Sequence, residues 1–131
     1  MQTDFQPAPA SKKMIWIGRI ISALPILFML FGVVYSLAKP DDVQKGFSKY
    51  GYPQRDLQPI VITELICVLI YLIPQTSVLG AILLTGYLGG ATATHIRVGE
   101  PFFMPIIIAV LIWLGLLLRD RRLQTLLPLR R

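Results

Sequence analysis

Polar and apolar residues are sorted into blocks along this chain. Nearly all charged positions fall in 4–13, 39–56, 97–100 and 119–131, and long apolar runs lie between them. A soluble domain of 131 residues has too much surface to cover for such segregation. The blocks predict an all-α membrane protein, an antiparallel four-transmembrane-helix bundle, with spans at about 14–37, 57–73, 77–96 and 102–118.

Each connection has its own chemistry. Residues 1–13 combine Pro7 and Pro9 with small and polar neighbours and read as a disordered tail. Lys12 and Lys13 precede the first span, which carries Arg19 and Pro25. A basic pair before an apolar run resembles a signal peptide, and Ser36-Leu37-Ala38 resembles a cleavage site, so cleavage stays an alternative. The run is well beyond the roughly 7–15 residues of a signal core. In the polar link 39–56, Asp41 is placed to cap a short helix through about Lys49. Tyr50-Gly51-Tyr52-Pro53 follows as a turn with two interfacial tyrosines. Pro59 is expected in the first turn of the second span. Pro74-Gln75-Thr76-Ser77 is so tight that the second and third spans must be antiparallel neighbours, with Thr76 or Ser77 as cap.

The composition agrees: 54% of residues are hydrophobic and the mean hydropathy is +0.62. The net charge of +6 comes from Lys and Arg at span ends. No soluble basic face is left to grip a phosphate backbone, so a nucleic-acid partner is not expected. With four spans, one side carries Lys12, Lys13, Arg19, Arg119, Arg121, Arg122, Arg130 and Arg131, and the other Lys39, Lys45, Lys49, Arg55 and Arg97. The heavier side is read as cytoplasmic, with both termini there and 119–131 as a basic cytoplasmic tail. The expected location is a bacterial inner (plasma) membrane. The lone Cys67 cannot form an internal disulfide and reads as a small buried apolar side chain.

Two features stand out of the apolar background. The third span, LGAILLTGYLGGATATHIR, lines up Gly86, Gly90 and Thr94 beside Thr85, Gly89 and Ala93. Small residues let backbones approach in lipid, so this face is expected to pack against the bundle. A homodimer seam, or room for a ligand, is the alternative. The second feature is Glu64, a carboxylate inside the second span that must face inward and find a partner, because its insertion costs on the order of 3 kcal/mol. Depth counting brings Thr92, His95 and Arg97 to a similar level at 1.5 Å per residue. Glu64, Thr92, His95 and Arg97 therefore form the candidate polar pocket, with Tyr50 and Tyr52 as its cover. It reads either as a structural ion pair or as a proton-active or anion-binding pocket. Arg19 is expected to snorkel to the interface. One histidine and one cysteine at different depths make no metal site, and there is no HExxH, Walker, GxSxG or CxxCH motif. No catalytic residue is assigned, and the chain is not expected to be an enzyme on its own.

The acidic second span, the proline turn Pro74–Ala81 and the glycine-rich Ile82–Arg97 running into Ala-Thr-His resemble the DoxX-like family of small bacterial four-helix membrane proteins. Gly46-Phe47 and Tyr52-Pro53 fit the same pattern, and the resemblance covers roughly Ile15–Leu118. It implies a membrane subunit of thiosulfate:quinone oxidoreduction, or a member of membrane assemblies that handle oxidative stress. By that resemblance alone the cofactor would be a quinone and the partners a membrane redox protein or further copies of the chain, within the lipid bilayer. A non-catalytic scaffold and an oligomeric small-solute transporter are the competing readings.

Overall fold

The computed structural model describes residues 11–126, and these are helical throughout, without a strand among them. The helices are α1 (Lys12–Ala38), α2 (Pro40–Lys49), α3 (Gln54–Leu72), α4 (Ser77–Arg97), α5 (Phe103–Arg119) and α6 (Arg121–Leu126), with one 3₁₀ turn at Pro74–Thr76. Most of the tail expected at 1–13 lies outside the described residues, as do Arg130 and Arg131.

Helix starts and stops follow local chemistry, not always the expected one. The Ser11 hydroxyl accepts the Met14 amide at 3.2 Å, so α1 begins at Lys12, two residues before the expected span, and continues through a buried Pro25. Asp41 does not cap α2: Pro40 occupies the first turn and Asp41 sits inside it, near the positive end of the helix dipole. Pro59 lies in the second turn of α3, because that helix starts at Gln54, three residues earlier than expected. Thr76 and Ser77 cap the other helix. Their hydroxyls donate to Ile70 and Tyr71 carbonyls at 2.7 and 2.8 Å, satisfying the end of α3 rather than the start of α4.

Two stretches, Lys12–Ala38 and Pro74–Arg97, are long and apolar enough to cross a membrane. Phe103–Arg119 is apolar but shorter, at 17 residues. α3 has the length, at 19 residues, but carries Arg55, Asp56 and Glu64.

The four long helices pack around a core that includes Ile26, Met29, Cys67, Val68, Tyr71, Ala81, Leu84, Leu88, Ile108, Ile112 and Leu116. α1 packs on α5 and α3, and α4 packs on α3 and α5. Opposite the core, Leu24, Phe28 and Phe31 of α1, Ile66 and Leu69 of α3, and Ile106 and Val110 of α5 are exposed. So broad an apolar exterior fits lipid rather than water. The short α6 folds back, burying Leu123 in the core, while Gln124 donates to the Leu117 carbonyl at 2.8 Å.

The close backbone approaches correct the expected packing seam. Gly86, Gly89 and Gly90 have no neighbour within 4 Å where a side chain would be. The tight glycines are Gly80, whose missing Cβ would fall on the Tyr71 backbone, and Gly18 and Gly115, each against the other's carbonyl. Position explains this. Gly80 lies one turn past the Pro74–Thr76 link, where α4 lies against α3, whereas Gly86, Gly89 and Gly90 occupy exposed positions farther along α4. Thr85, also expected in the seam, faces α5, where its hydroxyl accepts from the Trp113 indole at 2.7 Å. Ala93 is exposed.

Candidate functional site

Two glycine turns build the far end of the bundle. After α2, Gly51 adopts φ +83, its amide donating to Ser48 and the Tyr52 amide to Phe47. After α4, Gly99 adopts φ +76, its amide donating to Ile96 and the Glu100 amide to His95. Both are Schellman closures, in which a left-handed glycine ends the helix and satisfies its last carbonyls. A proline follows each, at Pro53 and Pro101, where the helix cannot resume. The two turns bring Tyr50, Tyr52 and Glu100 together over the end of α4.

The tyrosines are bonded to α4 and its closing turn, not merely near them. The Tyr50 hydroxyl donates to Glu100 Oε2 at 2.8 Å and lies 3.5 Å from His95 Nε2. Tyr52 shares a 2.9 Å hydrogen bond with the Thr94 hydroxyl. Arg97 Nη2 donates to the Tyr50 carbonyl, and its guanidinium lies 5.8 Å from the centre of the Tyr52 ring. Burial and the Glu100 carboxylate, through both its hydrogen bond and its charge, hold the Tyr50 phenol above its ordinary value of 10.0.

Beneath this cover lies a cavity of about 460 Å³. Phe47, Tyr50 and Tyr52 form its roof, Ile60 one wall, and Gly86, Tyr87, Gly90, Ala91, Thr94 and His95 the α4 side. Two of the open α4 glycines, Gly86 and Gly90, are therefore the floor of a hollow. Its polar atoms gather at one end. His95 Nδ1 is 2.7 Å from the Ala91 carbonyl, which can only accept, so Nδ1 carries the proton and Nε2 is the acceptor in the neutral ring. Tyr50 spends its one proton on Glu100, which leaves the Nε2 lone pair for a donor brought by a guest.

The four-residue polar pocket expected from depth counting is not assembled. Glu64 accepts from the Tyr87 hydroxyl at 3.1 Å, and neither His95 nor Arg97 reaches it. Thr92 returns its hydroxyl to the Leu88 carbonyl at 2.8 Å. Tyr87, missed in the sequence, stands between Glu64 and the cavity. It could have been found from the tight turn itself. Gly80 lies as far after the middle of that turn as Tyr71 lies before it, and Tyr87 stands in the same relation to Glu64. Glu100 was missed too, because its role depends on where the Gly99 turn points it.

The sequence pattern of the DoxX-like family matches residues 20–116, which takes in α2, both glycine turns, the cavity and most of α1 and α5. This chain belongs to the DoxX-like family. No curated protein and no solved structure matches this DoxX-like chain. Family membership and the long apolar helices together support a small membrane protein. Among the described residues there is no group of three metal-ligating side chains.

Proposed function

We propose that this DoxX-like protein crosses a bacterial inner membrane four times, with both termini cytoplasmic, and holds a small apolar molecule in the cavity under Tyr50 and Tyr52. In this reading α3 is a span whose Glu64 is bonded inside the bundle by Tyr87. The single observation that carries the proposal is the glycine floor. Gly86 and Gly90 are open and lie against a hollow of about 460 Å³, a volume in the range of small-molecule sites, roughly 300–1,000 Å³.

The polar atoms favour a neutral guest over an anion. Glu100 already places negative charge beside Tyr50, and Arg97 is committed to the Tyr50 carbonyl. What remains is an imidazole lone pair and tyrosine and threonine hydroxyls above apolar walls. A ring bearing carbonyl or hydroxyl oxygens on an apolar tail satisfies both parts. A quinone is such a molecule, and its hydroquinone form could donate to His95 Nε2. With a redox partner in the membrane, the chain would serve as a quinone-holding subunit.

Native mass spectrometry of the full chain, released from mild detergent, tests the occupancy. The expected result is a retained small molecule, absent from Gly90→Leu. Retention of nothing by the parent, or equal retention by both, would overturn the proposal. Single cysteines placed at Ser48 and Gln75 in a Cys67→Ala background test the four spans, and labelling from opposite faces of the membrane is expected.

A further inference from the structure

A second cavity, of about 280 Å³, lies at the opposite end of the bundle, between α1 and α3. Arg19 and Arg119 both line it. Arg119 is drawn there by the close α1–α5 crossing. Its stem runs over Gly18, where a side chain would strike its Cγ. Its Nε donates to the Gly115 carbonyl at 3.3 Å and its Nη2 to the Tyr71 hydroxyl at 3.0 Å. Tyr71 is buried and its hydroxyl lies 2.9 Å from Ser22 Oγ, which fixes one edge of the guanidinium. Among the described residues the other N–H groups of Arg119 make no hydrogen bond and stay free to turn toward the cavity. Arg19 rests over the Trp16 ring at 5.1 Å.

Among the described residues neither cation has a counter-ion: Asp56 pairs with Arg55 and Asp120 with Arg122, and neither cavity arginine takes part. Away from the arginines the cavity is apolar. Ala23, Ile26, Leu27 and Leu30 follow one another down α1, a wall that ends roughly 16 Å from Arg19 at 1.5 Å per residue. Two unpaired guanidinium groups at one end of a lipid-facing apolar groove match one kind of molecule, an anionic headgroup with a chain attached.

We infer that this groove binds an anionic phospholipid, its phosphate between Arg19 and Arg119 and its first acyl segment along Ala23, Ile26, Leu27 and Leu30. Guanidinium groups suit phosphate because they present paired donors in one plane. Arg119 ends α5 and Arg19 lies about two turns inside α1, both toward the face that the charge distribution assigns to the cytoplasm, where basic pockets between helices meet anionic lipid. The inference rests on the membrane reading but not on the outer cavity, so Gly90→Leu should leave it untouched.

The test compares phosphatidylglycerol with phosphatidylcholine of the same acyl chains, added to the detergent-purified full chain and read as the retained fraction in native mass spectra. Phosphatidylglycerol should be preferred. Arg19→Gln should lower that preference about fivefold, the worth of one arginine at a membrane surface. Ala23→Trp should lower it comparably by filling the groove without touching a charge. Both positions are exposed, so thermal midpoints should hold. Arg122→Gln, at the same end but outside the groove, should change nothing. Equal retention of the two lipids, or a preference that survives both groove variants, would overturn the inference. So would equal losses in Arg122→Gln, which would mean general surface charge. Displacement of the lipid by excess inorganic phosphate would overturn the lipid as occupant and leave a plain anion site.

Discussion

The two ends of this bundle use glycine in opposite ways. Near the Pro74–Thr76 turn, Gly80 lets α4 lie on the Tyr71 backbone, and Gly18 and Gly115 do the same for α1 and α5. At the other end Gly86 and Gly90 touch nothing and leave a hollow. The polar groups divide the same way. The inner end locks Tyr71 between Ser22, the Ile112 carbonyl and Arg119. The outer end suspends Tyr50 and Tyr52 from two glycine turns. One end is closely packed, and in the proposed reading the other holds a guest. A small residue in such a helix thus carries no fixed meaning, and whether a neighbouring backbone stands opposite it decides which role it takes.

If that contrast is right, substitutions should separate the ends by size of effect. The largest loss should come from Gly80→Ala, because the new methyl meets backbone that cannot step aside. About 3 kcal/mol is expected, read as a lowered midpoint of thermal unfolding in mild detergent. Next comes Tyr71→Phe, which strips Arg119 and Ser22 of a buried partner and should cost about 1–2 kcal/mol in the same assay.

Smaller still is a pH effect at the outer end. Folding raises the Tyr50 phenol above its ordinary value, so the folded state holds that proton more tightly than the unfolded chain. This contribution is fully present below pH 10.0 and is lost as pH climbs through the folded value. Tyr50→Phe should therefore remove part of the alkaline fall in midpoint above pH 10.0 and leave the neutral-to-acid limb in place. A parent and variant with superimposable alkaline limbs would contradict this. The smallest change belongs to Gly86→Ala and Gly90→Ala. Each gains about 0.5–1 kcal/mol of helix preference with nothing to strike, so midpoints should stay level or rise slightly. A loss at Gly90 comparable to that at Gly80 would erase the distinction between the ends.

Much of the scaffold was legible in the sequence because charge segregation and tight turns act over short range. The helix at 77–97 is marked by its proline turn at one side and by the glycine at 99 on the other. The Gly51 turn marks where Tyr50 and Tyr52 leave α2, but the pocket they were expected to cover is not the cavity they line. The partner of Glu64 was not legible. Depth counted from uncertain span ends drifts by a turn or more, which brought Thr92 forward in place of Tyr87. The inner polar knot was hidden for another reason. Ser22, Tyr71 and Arg119 come from three helices; the Gly18–Gly115 crossing joins the first and last, and the packing of α3 on α1 brings Tyr71 to them.

The central claim is that the outer hollow is a binding site made by absent side chains. Its most direct test is a titration of the purified full chain with decylubiquinone, a short-tailed quinone, comparing the parent with Gly90→Leu at matched thermal midpoints. Saturable binding by the parent and a loss of at least about tenfold in affinity on filling the floor are predicted. Unchanged affinity in Gly90→Leu, with the helix still folded, would contradict the account.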